Sequence, residues 1–195
     1  MDEKNNISRC SWPGDNELMV CYHDTEWGVP LHDDVKLFEF LVLDTFQAGL
    51  SWSTVLKKRK NFCKAFSSFN ASKIAKFGTK KIEELILNPG IIRNRLKIQA
   101  VVQNAKAFLE IQECFGSFDQ YIWRFVDGKT IQNCWKSEKE IPAVSKEAEQ
   151  MSKDLKRHKF QFVGPVICYA FMQAAGLIND HIVDCFRYSE LSAHL

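Results

Sequence analysis

Apolar side chains recur along this chain at the spacing of helices rather than strands. Between Asp33 and Trp52, residues Leu37, Phe38, Leu41, Val42 and Phe46 fall on one helical stripe, with Asp33 or Asp34 placed to cap its start and Gly49 near its end. The pattern predicts a second helix over Ser53 to Phe66, a short one around Lys73 to Phe77, and another over Lys80 to Leu87 capped by Thr79. Asn88-Pro89-Gly90 reads as a turn, Ile92 to Ile111 as one long amphipathic helix, Phe118 to Val126 as a short helix, and Lys129 to Pro142 as a polar loop. No segment alternates in the manner of a strand and no internal repeat is present. The expected class is all-α.

The stretch His158 to Cys185 organises the C-terminal part. A basic, helix-prone run from Lys146 to Lys159 leads into a turn, Gln161-Phe162-Val163-Gly164, and Pro165 then opens an apolar helix at a position where no N–H is needed. After Gly176 comes His181-x3-Cys185, a spacing that would set two metal-binding side chains on one helical face. Helix, tight turn ending in glycine, helix is the form of a helix-hairpin-helix, whose turn can aim backbone N–H groups at a phosphate. It is also the form of any αα-hairpin.

Composition adds bounds. With 195 residues, 46% apolar and 26% charged, the chain is expected to form one soluble domain with a substantial core. It has no apolar run of transmembrane length, and Met1 to Arg9 is polar where a secretory signal would be apolar, so a cytoplasmic protein without a membrane partner is expected. Of seven cysteines, Cys21, Cys63, Cys114, Cys134 and Cys168 read as free thiols. The net charge of +2 hides an uneven distribution: residues 51–100 carry 12 lysines and arginines against 2 acids, a local excess of +10. Such a cluster fits either a polyanionic partner or a solvated lysine-rich face.

Two constellations carry candidate chemistry. Cys10 and His23, brought to His181 and Cys185, would make a Cys2His2 set suited to a closed, structural zinc site, although the spacing is not that of a zinc finger and His23 alone would more often be an ordinary hydrogen-bonded residue. Asp44 lies within the apolar stripe of Asp33 to Trp52. A carboxylate there is either near the helix surface or poised for a ligand.

Longer motifs point to a family. Cys10-Ser11-Trp12, Tyr22-His23-Asp24-x-Glu26-Trp27-Gly28-Val29-Pro30, Gln47-Ala48-Gly49-Leu50-Ser51-Trp52, Gly90-Ile91-Ile92-Arg93, and Phe162-Val163-Gly164 through Asn179-Asp180-His181 resemble 3-methyladenine DNA glycosylase I in order and spacing. The resemblance covers Cys10 to Cys185. It implies a helix-hairpin-helix glycosylase fold in which a structural zinc, held by Cys10, His23, His181 and Cys185, joins the N- and C-terminal segments. It further implies a base pocket of Tyr22, Trp27, Asp44, Phe46 and Trp52, with Asp44 as the catalytic carboxylate.

By the same resemblance Gln47, Gly49 and Leu50 wedge into the duplex, and Phe162 and Gly164 belong to the DNA-binding hairpin. Related glycosylases place a catalytic Asp where this chain has Asn179, and lyase-competent ones a lysine where it has Pro165, Val166 and Ile167. The implied activity is therefore monofunctional hydrolysis of the N-glycosidic bond of 3-methyladenine in alkylated double-stranded DNA. The chain departs from the family at Asp44, where a glutamate is usual, at Phe46 in place of Gln, which would make the pocket wall more apolar, and at Lys159 in place of Gly. Asp180 has no assigned role.

The expected organisation is a tail over residues 1–8, one domain over 9–188 in two helical lobes with the hairpin at about 147–176, and a tail over 189–195, acting as a monomer with no obligate protein partner. The rival reading is a non-catalytic lesion- or DNA-binding protein of the same fold. A zinc-stabilised helical interaction domain would leave the +10 quarter unexplained.

Overall fold

A computed structural model describes residues 7–192; residues 1–6 and 193–195 of the expected tails lie outside the described residues. Ten α-helices dominate the described chain: α1 Glu17–Thr25, α2 Asp34–Gln47, α3 Trp52–Ala65, α4 Ala71–Ile74, α5 Thr79–Leu87, α6 Arg95–Phe115, α7 Phe118–Trp123, α8 Lys146–Arg157, α9 Pro165–Ala174 and α10 Phe186–Ser192. The expected helical class is observed.

Helix α2 is the centre. Asp33 caps it, its carboxylate accepting the Lys36 N–H at 2.8 Å. Every residue from Leu37 to Phe46 is buried, because α3, α6, α7 and α9 pack around it. A helix enclosed on all sides must place even its polar residues inside. Glu39 is matched there by Arg59, with Nε at 2.7 Å, and by Lys36 at 2.9 Å, and these partners hold its carboxyl below the usual range despite burial. Asp44, on the same helix, has no such partner.

Several local expectations are corrected. His181-x3-Cys185 is not helical: the chain leaves a short strand, turns at Val183 and Asp184, and re-enters a helix only at Phe186. The long helix begins at Arg95, not Ile92, because the Asn94 side chain accepts the Lys97 N–H at 3.1 Å and fixes the first turn there. Thr79 is the first helical residue and Gly78 holds the cap position. The helix near Lys73 is one turn, Ala71–Ile74, started by Asn70. Helix α1, capped by Asn16, was not expected from a segment so dense in aromatic and polar residues.

The polar loop also contains a strand that periodicity could not reveal. β1 (Ile131–Gln132) pairs in parallel with β2 (Ile178–Asn179), two residues each. That pair ties the 131–144 segment to the end of α9.

Gly176 seats a second crossing. Its φ is +71°, and a Cβ there would lie 2.3 Å from the Val29 carbonyl carbon, so a side chain is excluded. Residues 28–31 cross it, with Gly28 N–H donating to the Gln173 carbonyl at 3.0 Å and Leu31 N–H to that of Ala175 at 3.1 Å. This brings Trp27 against α9. No helix among the described residues is long and apolar enough to cross a membrane.

Candidate active site

Where the ends of α1, α2, α3 and α9 meet, they enclose a cavity of about 410 Å³. Tyr22, Asp44 and Trp52 line it, as do Trp27 and Gln47. The Tyr22 and Trp52 rings lie 5.2 Å apart, and Trp12 meets Trp27 edge to face at 5.2 Å. Four of these side chains present π surface to the cavity, and Tyr169 of α9 adds a fifth.

Three buried polar atoms of this cavity have no protein partner: Asp44 Oδ2, Trp52 Nε1 and Trp12 Nε1. Each such atom costs about 1–3 kcal/mol when left unsatisfied. An acceptor and two donors stranded in one aromatic cavity describe the complement of a flat, polar ligand. Burial alone pushes the Asp44 carboxyl well above the usual carboxylate range. Burial, and then the Asp44 charge, also raise the Tyr22 phenol, which keeps its proton.

Phe46 is not part of this wall. It is fully buried against Phe62, 4.6 Å away, and Phe66, at 6.1 Å. Two helical residues subtend roughly 200° at 3.6 residues per turn. Asp44 and Phe46 therefore face opposite ways, and Phe46 belongs to the core. The structure adds lining residues that the sequence did not single out: Trp12, Glu138, Tyr169 and Gln173. Only Trp12 carried a signal, as a member of the Cys10-Ser11-Trp12 motif.

Cys10, His23, His181 and Cys185 do converge. All four are buried, and their ligand atoms lie within 4.8 Å of one another, a cluster that could hold a metal ion. His181 Nδ1 stands 3.4 Å from Cys185 Sγ and 3.6 Å from Cys10 Sγ, and His23 Nε2 stands 3.5 Å from Cys185 Sγ. The other ring nitrogens are held from outside: His181 Nε2 meets the Trp27 carbonyl at 3.0 Å, and His23 Nδ1 meets Asp24 at 2.7 Å, itself paired with Arg9. The Trp27 ring stacks edge-on against His181, 4.5 Å away, so cluster and cavity share a wall.

At the mouth, the chain after α2 turns through Gly49, φ +82°, and presents Leu50 with 44% of its surface exposed. Lys97 is buried beneath this turn and its Nζ donates to the carbonyls of Phe46, at 3.1 Å, and Ala48, at 2.7 Å. It closes the C-terminus of α2, where unpaired carbonyls favour a cation. Helices α8 and α9 form a hairpin whose turn holds Lys159 and Phe162 at positive φ, with Phe162 38% exposed and Gly164 capping α9 without a side chain; Val166, two residues on, lines the cavity. Asn104 pins that turn by exchanging two hydrogen bonds with the Gln161 backbone, at 3.0 and 2.7 Å.

The basic quarter divides. Arg59 pairs with Glu39 and Glu26, Arg95 with Glu83, and Lys97 with backbone. Lys57, Lys60, Lys64, Lys73, Lys76, Lys80 and Arg93 stand exposed.

Comparison with known proteins agrees with this geometry. The methyladenine glycosylase family matches residues 12–188. A DNA-3-methyladenine glycosylase of Haemophilus influenzae is 44% identical over 178 residues, covering 91% of this chain and 96% of its own. A crystal structure of a 3-methyladenine DNA glycosylase I superposes with a TM-score of 0.90 at 46% identity, over 92% of this chain and 98% of that one. The Staphylococcus aureus enzyme, solved to explain its recognition of 3-methyladenine, superposes at 0.89 with 37% identity, over 92% and 96%. Sequence match, shared fold and an aromatic cavity with a stranded carboxyl coincide over the same residues, and the chain belongs to the methyladenine glycosylase family.

Proposed function

We propose that this chain excises 3-methyladenine from alkylated double-stranded DNA by hydrolysing the N-glycosidic bond. The observation that carries the reading is the Asp44 carboxyl, buried and unpartnered in the same cavity that Tyr22 and Trp52 line. Adenine alkylated at N3 is cationic, and its departure needs little chemical help. The site must instead find, extrude and hold a charged base. Trp52 and Tyr22 offer electron-rich faces to the cation, and Trp27 closes the rim. Asp44 accepts from the donor edge of the base, and the incoming positive charge draws its proton off, so charge is matched only when the right base is bound.

Leu50, with Gln47 and Gly49, occupies the duplex where the base has left, the role of an apolar wedge. The helix-hairpin-helix formed by α8 and α9 turns its unblocked N–H groups at Gly164 toward a phosphate, with Phe162 beside it. The exposed lysines of the second quarter add sequence-independent attraction. The residues that line the cavity include no lysine, in keeping with attack by water on an oxocarbenium-like sugar and no lyase step.

The Cys2His2 set fits zinc. Bonds of about 2.3 Å to sulfur and about 2.0–2.1 Å to nitrogen, at the tetrahedral angle, require S···N separations of roughly 3.5 Å, and 3.4, 3.5 and 3.6 Å are observed. With four protein ligands no position remains for water, so the zinc would be structural. The protein side supplies the outer contacts that orient such ligands, Asp24 on His23 and the Trp27 carbonyl on His181. Residues 9–188 act as one unit, as a cytoplasmic monomer.

The test is release of free base from N-methylated duplex DNA by the wild type and by Asp44→Asn. Release of 3-methyladenine with 7-methylguanine left in place, lost in the variant, supports the reading. Duplex binding without release would favour a non-catalytic lesion binder.

A further inference from the structure

Asp180 lies one residue before the metal cluster and does not line the cavity, yet it is tied to both of the cavity's opposing walls. It is 1% exposed, and its two oxygens take four side-chain donors. Oδ2 accepts from Tyr169 Oη at 2.5 Å and Gln173 Nε2 at 2.7 Å. Oδ1 accepts from Asn133 Nδ2 and Trp135 Nε1, both at 2.7 Å. Tyr169 and Gln173 are cavity-lining residues of α9. Asn133 and Trp135 begin the strap that runs through Glu138 to Ala143, the other wall.

The strap is anchored at its far end as well. Glu138 accepts from the Ser11 hydroxyl at 2.8 Å and the Trp12 N–H at 3.2 Å, so it ends on the backbone of the indole that closes the cavity. At the near end, Asn133 N–H reaches the Asn179 carbonyl at 3.3 Å and Val183 N–H that of Trp135 at 2.9 Å. The backbone pairings fix the strap's register, and among the described residues the Asp180 carboxylate is the one side chain hydrogen-bonded to both α9 and the strap.

We propose that Asp180 is a positioning residue that sets the width of the base cavity and thereby its preference for a small methylated purine. The inference rests on the glycosylase reading of the cavity. Four donors saturate one carboxylate, and an amide cannot replace it, because its NH2 would face one pair of donors. Release of either pair lets α9 and the strap move apart. In a site where misplacement by about 1 Å costs on the order of 10²-fold, base selection should suffer before folding does.

The test measures tryptophan quenching by free 3-methyladenine and free 7-methylguanine, alongside base release, for wild type, Asp180→Asn, Tyr169→Phe and Gln173→Ala. The expected result is a preference for 3-methyladenine that shrinks at least 10-fold in Asp180→Asn with metal content unchanged. Tyr169→Phe and Gln173→Ala should shrink it partially, and Asp180→Asn with Tyr169→Phe should be no worse than Asp180→Asn alone. An unchanged preference in all three single variants, with only melting temperature lowered, would overturn the proposal. A wild type that binds 3-methyladenine selectively but releases none would defeat the glycosylase reading while leaving this one measurable.

Discussion

The rings of Tyr22 and Trp52 face the same cavity with centroids 5.2 Å apart and planes inclined by 54°, too close and too tilted to admit a base between them. A flat base would therefore stack on one ring and meet the edge of the other.

Of the two, Trp52 offers the larger π face and an unpaired Nε1. Base stacking on an aromatic side chain contributes about 1–3 kcal/mol. Trp52→Ala should lower kcat/KM for release of 3-methyladenine by about 10- to 100-fold. Asn179→Ala, whose side chain is buried and accepts the His181 N–H at 3.1 Å, should cost less. Equal losses would argue against the pocket.

Asp44 should set stability and activity against each other. Its pKa is raised in the native state, so over the window above the ordinary aspartate value of about 3.9 the folded chain holds a proton that the unfolded chain has lost, and stability falls as pH rises through that window. Asp44→Asn removes the ionisation. It should melt higher at neutral pH by the equivalent of about 1–2 kcal/mol, the cost of a mismatched buried group, and show a flatter pH profile, while base release is lost. A variant that melts lower would contradict the buried, unpartnered carboxyl.

Cys185→Ser should release the metal ion. For a chain of this size each kcal/mol moves Tm by about 2–4 °C, so loss of roughly 3 kcal/mol would lower it by about 6–12 °C. Metal analysis beside the melting curve decides. Stoichiometric metal in the purified variant would remove Cys185 from the ligand set.

Lys97→Met should separate duplex work from base binding. The substitution leaves the Phe46 and Ala48 carbonyls without their charged donor, a loss of about 1.5–3 kcal/mol, and frees the turn that carries Leu50. Free 3-methyladenine should bind nearly as before, because Lys97 does not line the cavity. Excision from duplex should fall several-fold. A parallel loss of both would show that the turn also shapes the pocket.

The parts legible in the sequence were those with one chemical use. Cys10, His23, His181 and Cys185 were matched by ligand chemistry and do converge, although His181 and Cys185 meet across a turn and not along a helix. Asp44 stood out because an apolar run surrounds it. Tyr169 and Gln173 escaped notice because aromatic and amide residues on apolar segments usually serve the core or the surface. Phe46 was placed by the resemblance, and the 100° step of a helix sends it the other way. The β1–β2 pair is too short for any periodicity, and Asp180 shows its use only when Asn133, Trp135, Tyr169 and Gln173 are seen around it.

Cys10 and His181 are separated by 171 residues, and that distance imposes an order on biosynthesis. Ribosomes add about 5–20 residues per second, so roughly 9 to 35 s pass between emergence of Cys10 and of Cys185. During that interval α1, α2 and α3 can bury their apolar faces locally, while the contacts of Trp27 with His181 and of Trp12 with Glu138 are still to come. The closure entropy of so long a loop rises only with the logarithm of its length, so delay adds little to the final stability. A chain arrested after α9 would carry its hairpin and lysines yet lack a finished cavity. Such a fragment would hold every residue that lines the cavity, from Trp12 to Ala174, without the complete Cys10, His23, His181 and Cys185 cluster that packs against Trp27.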